Sequence, residues 1–165
     1  MKKTFFCKTL FILFLIFAPV VKAECEGFGA GFEGGMSASF CDENISFLPE
    51  AGASLKIETV PLYFYLSCGF NEDGFKSGKF SMEYWISNPR FGSSFIHYFW
   101  GPGLNLGIKE GNFAAGLSFA FGINFFASYN TEVYLRADPE ACIVFSEEKK
   151  FVSGTGIFLG VREYF

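Results

Sequence analysis

Histidine is almost missing from this 165-residue chain, basic residues are outnumbered by acids, and no apolar run is long enough to cross a bilayer as a helix. Each shortage removes a class of function. The single imidazole, His97, lies between Phe95 and Phe99 with no serine and carboxylate in a local signature, so a histidine-dependent nucleophilic mechanism has nothing to build on. A hydrogen-bonded structural histidine is the reading it supports. The longest apolar stretch, Leu10 to Phe17, falls well short of the roughly 20 residues a spanning helix needs. Cysteines are few and their spacing matches no metal site. Gly101-Pro102-Gly103 and Gly154-Thr155-Gly156 look like phosphate loops only superficially, because no helix follows either to supply an anion-binding N-terminus. No catalytic, cofactor-binding or metal-ligating constellation emerges.

What is present starts with an export signal. Lys2, Lys3 and Lys8 precede the apolar stretch, and Val21-Lys22-Ala23 supplies compact residues for a peptidase, which predicts cleavage after Ala23 and a mature domain over 24–165. Glu24 before Cys25 disfavours a lipidation box, leaving Cys25 an ordinary thiol near the first strand. Residues 1–23 hold four lysines and no acid, so the 142-residue remainder carries 9 basic and 17 acidic groups, a net charge of 9 − 17 = −8. Nucleic acid is excluded as a partner on that balance. Cys41, Cys68 and Cys142 join Cys25 as an even set for an oxidising compartment, with no pairing that the spacing dictates.

The composition is unusual for one domain of this size: 25 Phe and 19 Gly, half of all residues hydrophobic, mean hydropathy +0.29. Apolar and small or polar residues alternate with period two along nearly the whole mature chain, and no helical repeat competes. In the first strand Phe28, Ala30, Phe32, Met36, Ala38 and Phe40 share a face opposite Gly27, Gly29, Gly31, Glu33, Gly35, Ser37 and Ser39. Proline cannot donate to a central ladder, so Val60-Pro61 divides Ala51–Glu58 from Leu62–Phe70. Turn residues then delimit strands over 78–87, 95–108, 112–126, 132–145 and 151–165, with 88–94 as a turn. Eight strands result, an even number that returns both ends to one side.

Glycine recurs on the polar face, interleaved with Lys56, Glu58, Lys79, Glu83, Glu132, Arg136, Asp138, Glu140 and Arg162. Small residues suit the inside of an eight-stranded barrel, which is only just wide enough to be filled by side chains. Leu62, Phe64, Leu66, Phe80, Met82, Tyr84, Tyr98, Trp100, Leu104 and Leu106 are then left for the outside. Unpaired buried charge is costly, so the inward acids and bases are expected to form a plug of salt bridges in preference to an ion path. Pro139 on the outward face predicts a bulge or an end to pairing. Tyr84, Trp85, Tyr98, Trp100, Tyr129, Tyr134 and Tyr164 gather near strand ends, as interfacial aromatics do, with Trp85 and Tyr134 directed inward.

The closing Gly160-Val161-Arg162-Glu163-Tyr164-Phe165 resembles the terminal strand of the small eight-stranded outer-membrane barrels, the class that includes the OmpA transmembrane domain and OmpX. The resemblance spans about Gly27 to Phe165. It implies an all-β, eight-stranded antiparallel up-and-down barrel in the bacterial outer membrane, in contact with its lipid. It also implies recognition by the barrel-assembly machinery through Leu159, Val161 and Phe165. Glu163 departs from the pattern, standing where an apolar or aromatic residue is usual. Lipid A acyl-modifying barrels and outer-membrane proteases are similar in fold class only. A structural or surface-interaction role follows, with residues 41–50, including Asp42, Glu43 and Glu50, as the one extended loop for an extracellular partner. Two other readings are a narrow channel for small solutes and a soluble exported barrel holding an apolar ligand among inward phenylalanines.

Overall fold

In the computed structural model, residues 27–41, 44–57, 61–90 and 96–165 are described; the predicted signal segment, Cys25, Asp42, Glu43, Glu58 and Phe95 lie outside them. The strands are β1 (Phe28–Cys41), β2 (Asn44–Ile57), β3 (Leu62–Asn71), β4 (Gly74–Tyr84, continued past Trp85 by Ile86–Arg90), β5 (Ile96–Lys109), β6 (Asn112–Phe126), β7 (Thr131–Phe145) and β8 (Lys149–Tyr164). Every strand pairs antiparallel with its neighbours in sequence. The sheet closes because β1 also pairs with β8, from Gly29↔Tyr164 to Phe40↔Ser153. The chain is an eight-stranded antiparallel up-and-down barrel.

Short turns carry the connections on the side away from the termini. Glu110 (φ 50°) and Gly111 (φ 80°) take the left-handed pair of conformations that a two-residue hairpin requires between β5 and β6. Between β3 and β4 the Asp73 N–H donates to Asn71 Oδ1 (2.9 Å), and Gly74 (φ 115°) completes the turn. Two boundaries differ from the sequence reading. Residues 44–50 form no loop: β2 begins at Asn44 and pairs with β1 from there, Cys41↔Asn44 to Gly35↔Glu50. Glu50 consequently points into the barrel and is buried. The stretch 86–90, read partly as a turn, has extended backbone.

Pro139 produces no bulge. Ser118↔Glu140 and Phe121↔Ala137 belong to one register, so pairing lapses for two residues and resumes unchanged. The same device explains the break at Trp85, since Glu83↔Gly103 and Ile86↔Trp100 also share a register and Pro102 falls opposite Tyr84. A true register shift occurs at Gly69/Phe70.

Alternation sorts the side chains as a soluble barrel would not. Phe32, Phe47, Leu66, Phe80, Trp100, Leu104, Phe113, Leu117, Phe121 and Phe151 are exposed on the outer surface. Tyr63, Tyr65, Trp85, Phe99, Tyr134 and Phe158 are buried inside with Arg136, Arg162, Glu83, Glu132 and Asp138. Among the described residues, most phenylalanines that an apolar-ligand carrier would need in its interior thus line its exterior; Phe99 and Phe158 are buried inside, and Phe126 meets Tyr164 and His97 at one end. Of the outward aromatics, Tyr84 and Trp100 lie toward the end that holds the termini, and Tyr129 stands fully exposed in the β6–β7 turn. Tyr164, like Trp85 and Tyr134, is inside.

Glycine admits the interior rings. The Tyr134 ring lies over Gly160, its ladder partner, so closely that a Cβ there would stand 2.1 Å from the ring. Gly160→Ala should therefore cost about 1–3 kcal/mol through overpacking. Gly34→Ala, whose added methyl would meet only a carbonyl oxygen at 3.8 Å on the outer face, should leave stability nearly unchanged. Urea unfolding of the two variants, refolded in detergent, provides the comparison, and equal midpoints would contradict this packing.

Candidate functional site: an ionic and aromatic lumen

The residues with chemistry to offer meet along the barrel axis. β7 contributes Glu132, Arg136, Asp138 and Glu140 at every second position, which period two places on one inward line. From β4 come Lys79 and Glu83, from β2 Lys56, from β8 Arg162. Of the nine charged residues singled out from the sequence, Glu58 lies outside the described residues and the other eight lie in the lumen, gathered in two groups.

Arg136 organises the larger group. Its guanidinium is fully buried and bonds Glu83 through Nη1 and Glu33 through Nη2, with Asp138 at 3.2 Å. Lys79 extends this group toward the end away from the termini, reaching Glu140 at 3.3 Å, Asp138 at 3.8 Å and Glu50 at 4.0 Å. Nearer the termini, Arg162 Nη1 donates to Glu132 at 2.9 Å and Lys56 lies 3.6 Å from the other oxygen of that carboxylate.

Aromatic faces separate and join the two groups. Arg136 stands 5.3, 5.2 and 4.8 Å from the ring centres of Tyr63, Tyr65 and Phe158. Arg162 stands 5.0, 5.4 and 4.5 Å from Tyr63, Trp85 and Tyr134. Tyr63 is shared by both cations, and Trp85 stacks on Phe99 with centroids 3.8 Å apart. A planar, weakly hydrated guanidinium tolerates this setting better than an ammonium would.

Six carboxylates (Glu33, Glu50, Glu83, Glu132, Asp138 and Glu140) share ion pairs with four cations among the described residues, so neutral donors supply the remaining hydrogen bonds. Tyr63 Oη donates to Glu33, Trp85 Nε1 to Glu83 (2.7 Å), Tyr164 Oη and Asn124 Nδ2 to Glu132, Ser37 and Ser67 to Glu50, and Asn105 Nδ2 to Glu140 (2.8 Å). Asp138 differs: among the described residues neither oxygen has a hydrogen bond, and Arg136 and Lys79 hold it as ion-pair partners. Beyond Lys79, toward the turns, a cavity of about 70 Å³ is bordered by Ser37, Ser39, Glu50, Asn105, Glu140 and Cys142.

Sequence reasoning overlooked Glu33 and Glu50. A signal existed for both. Glu33 sits in register with the inward glycines of β1, and Glu50-x-Gly52-x-Ser54-x-Lys56 alternates against Pro49, Ala51, Ala53 and Leu55 once β2 is extended. His97 also departs from expectation, since its Nδ1 is buried with no hydrogen-bond partner among the described residues and its ring meets Phe126 edge-on. Leu159 and Val161 face outward, paired with Gly34 and Phe32 across the closing seam, and the Phe165 N–H donates to Phe28 O (2.9 Å). Among the described residues, Cys68 and Cys142 take part in no disulfide.

The arrangement binds charge to charge across the middle of the barrel. Arg136→Met would strand three carboxylates and should cost about 3–5 kcal/mol, with Arg136→Lys recovering only part because it cannot bond in two directions while stacked. Lys76→Ala, which breaks an exposed pair with Asp73, should cost no more than about 1 kcal/mol. Chemical unfolding of the three variants tests the ranking; an Arg136→Met barrel as stable as wild type would contradict it.

No known family and no curated protein sequence matches the chain. Solved structures do. Neisserial surface protein A superimposes with a TM-score of 0.57 at 17% identity, over 84% of this chain and 97% of that one. The attachment invasion locus protein Ail of Yersinia pestis gives a TM-score of 0.38 at 13% identity, over 86% of this chain and 100% of that one. Closure, strand number and the Neisserial likeness agree, and the chain has the fold of the small eight-stranded outer-membrane β-barrels.

Proposed function

We propose that the protein is an integral β-barrel of the bacterial outer membrane, exported through a cleaved signal at 1–23, with a structural or surface-interaction role and neither catalysis nor conduction. The observation that carries this reading is the inverted partition of side chains: phenylalanine and leucine outside, four cations and six carboxylates inside. Water offers an exterior of that kind no reason to be exposed, whereas hydrocarbon does. A closed ladder also leaves no edge of unpaired backbone for lipid to meet.

The non-conducting role draws support from the lumen. Arg136, Arg162 and the rings of Tyr63, Tyr134 and Phe158 fill it, and each is almost completely buried. Contact with other molecules falls to the turns opposite the termini, since 44–50 belong to β2. Those turns present Glu72, Asp73, Glu110, Glu147 and Glu148 to solvent, and Asp42 and Glu43 follow β1 in sequence. An extracellular partner would meet a rim of mixed charge, where Lys76, Lys149 and Lys150 stand among these acids, on a scaffold of short loops. At the other end, the pairing of Leu159 and Val161 with β1 supports their proposed role, with Phe165, in recognition by the assembly machinery.

Unboiled protein from the membrane fraction should migrate differently in SDS from boiled protein. A soluble protein with no such shift would sink the membrane reading. Deleting Phe165 should lower the amount of folded barrel, and wild-type levels would argue against the terminal-strand signal. In planar bilayers the protein should produce no conductance steps; regular unitary currents would favour a channel instead.

A further inference from the structure

The cavity between Lys79 and the turns is bordered by charges of both signs, Lys79 and Lys109 with Glu50 and Glu140. Their sum is zero, but their bonding is uneven. Lys79 lies at the floor within 4.0 Å of both acids, and the hydroxyls of Ser37 and Ser67 complete Glu50. Glu140 receives Lys79 and Asn105 on Oε2, and its Oε1 has no hydrogen bond among the described residues.

Lys109 is the cation without an acid. It ends β5, which stands opposite β1 in the cylinder, and its side chain crosses the mouth to donate to Ser39 Oγ at 2.8 Å. That neutral hydroxyl is its one partner among the described residues, although an ammonium carries three donors. Ser77, the ladder partner of Lys109, borders the same cavity. A cation at the mouth and a carboxylate oxygen near the floor therefore border one space without bonding each other. Between them the wall is aliphatic at Leu48, Ala114, Val144 and Val152.

Size and charge together narrow the occupant. At about 10–15 Å³ for one water-sized group, the cavity of about 70 Å³ holds about five to seven non-hydrogen atoms. A simple anion would satisfy Lys109 and leave Glu140 Oε1 unbonded; a simple cation would do the reverse. A molecule carrying both charges on a short carbon frame satisfies the two at once.

We propose that this cavity binds a small zwitterion of the amino-acid class, no larger than alanine. Lys109, with the Ser39 hydroxyl, holds the carboxylate, Glu140 Oε1 accepts from the ammonium, and the methyl group lies against Val144 and Val152. Hydrogen bonds between charged groups are roughly twice as strong as neutral ones, so the occupant replaces the single neutral bond of Lys109 by a better one. The proposal goes beyond the structural and surface-interaction role and depends on the closed barrel alone.

Equilibrium dialysis of the detergent-folded protein against radiolabelled alanine is the test, and saturable binding is the expected result. Propionate, which lacks the ammonium, and ethylamine, which lacks the carboxylate, should each compete at least about tenfold more weakly, the effect of one hydrogen bond to a charged group. Phenylalanine should not compete. Lys109→Met gives up one neutral bond at the mouth and should weaken alanine binding by a similar factor, whereas Lys76→Met, on the exposed rim, should change nothing. No saturable binding up to millimolar alanine, propionate competing as well as alanine, or full affinity in Lys109→Met overturns the site; the ligand series on the unmodified protein decides should the variant fold poorly.

Cys142 reports the location, because it follows Glu140 on the same inward line and borders the cavity. With Cys25, Cys41 and Cys68 replaced by Ala, bound alanine should slow maleimide labelling of Cys142. Alanine binding that leaves this rate unchanged overturns the site. Alanine binding by protein that stays out of the membrane fraction supports the site and overturns the membrane reading alone.

Discussion

Two guanidinium groups inside a closed sheet set the terms for the rest of this barrel. Arg136 and Arg162 are fully buried, and desolvating each is worthwhile only where carboxylates and ring faces surround it. Glu33, Glu83, Asp138 and Glu132 provide the charge, and Tyr63 lies against both cations at once. These side chains come from five different strands. Their mutual satisfaction therefore requires the complete cylinder, and a sheet lacking the β1–β8 seam would leave Glu33 apart from Arg136.

That requirement propagates outward. A lumen filled by arginines, tyrosines and a tryptophan has room only if the wall between them is thin, which is the reason for glycine at 156 and 160 on β8 and for the stack of Tyr134 over Gly160. With every large polar group committed to the inside, alternation leaves phenylalanine and leucine for the outside. The inverted exterior and the ionic interior are two consequences of one pattern with period two.

How much of this was legible beforehand depended on how far a residue's environment is local. The alternation of β6 over 112–126 and the inward line of Glu132, Arg136, Asp138 and Glu140 need only a period, and both could be read from neighbouring residues. The start of β2 could not. Cys41 to Glu50 contains Asp42, Glu43, Asn44, Pro49 and Glu50, a composition that reads as loop, and only the facing strand β1 reveals that 44–50 are paired. Read as loop, that stretch places Glu50 at the surface; paired with β1, it turns Glu50 into the lumen. Pro139 predicts a bulge or an end to pairing; pairing does lapse there for two residues, but six pairs on each side of the lapse keep β6 and β7 in one register. The partners of each cation lay beyond sequence reading altogether, because they depend on which faces of non-adjacent strands cross the lumen at the same height.

The same filling argument accounts for the uneven construction of the wall. Long side chains that reach across a narrow lumen must end against something short. Those of β8 end against the glycines of β1, Arg162 and Tyr164 at Gly29 and Phe158 at Gly35, and Glu83 of β4 ends against Gly103 of β5. On β1 the glycines alternate with Glu33 and Ser37, which are drawn into hydrogen bonds with Tyr63, Arg136 and Glu50 and so fasten the strand. On β5 and β6 no ion pair plays that part, and the fastening falls to Lys109 donating to Ser39, to Asn105 and Asn124 donating to carboxylates, and to one ring stack. Prolines at 102 and 139 sit on the borders of this less fastened wall. A proline beside an ion-paired stretch would be compensated by interactions across the lumen; here the missing ladder bonds coincide with the thinnest inner surface, so the deficit in backbone pairing and the deficit in side-chain anchoring fall on the same two strands.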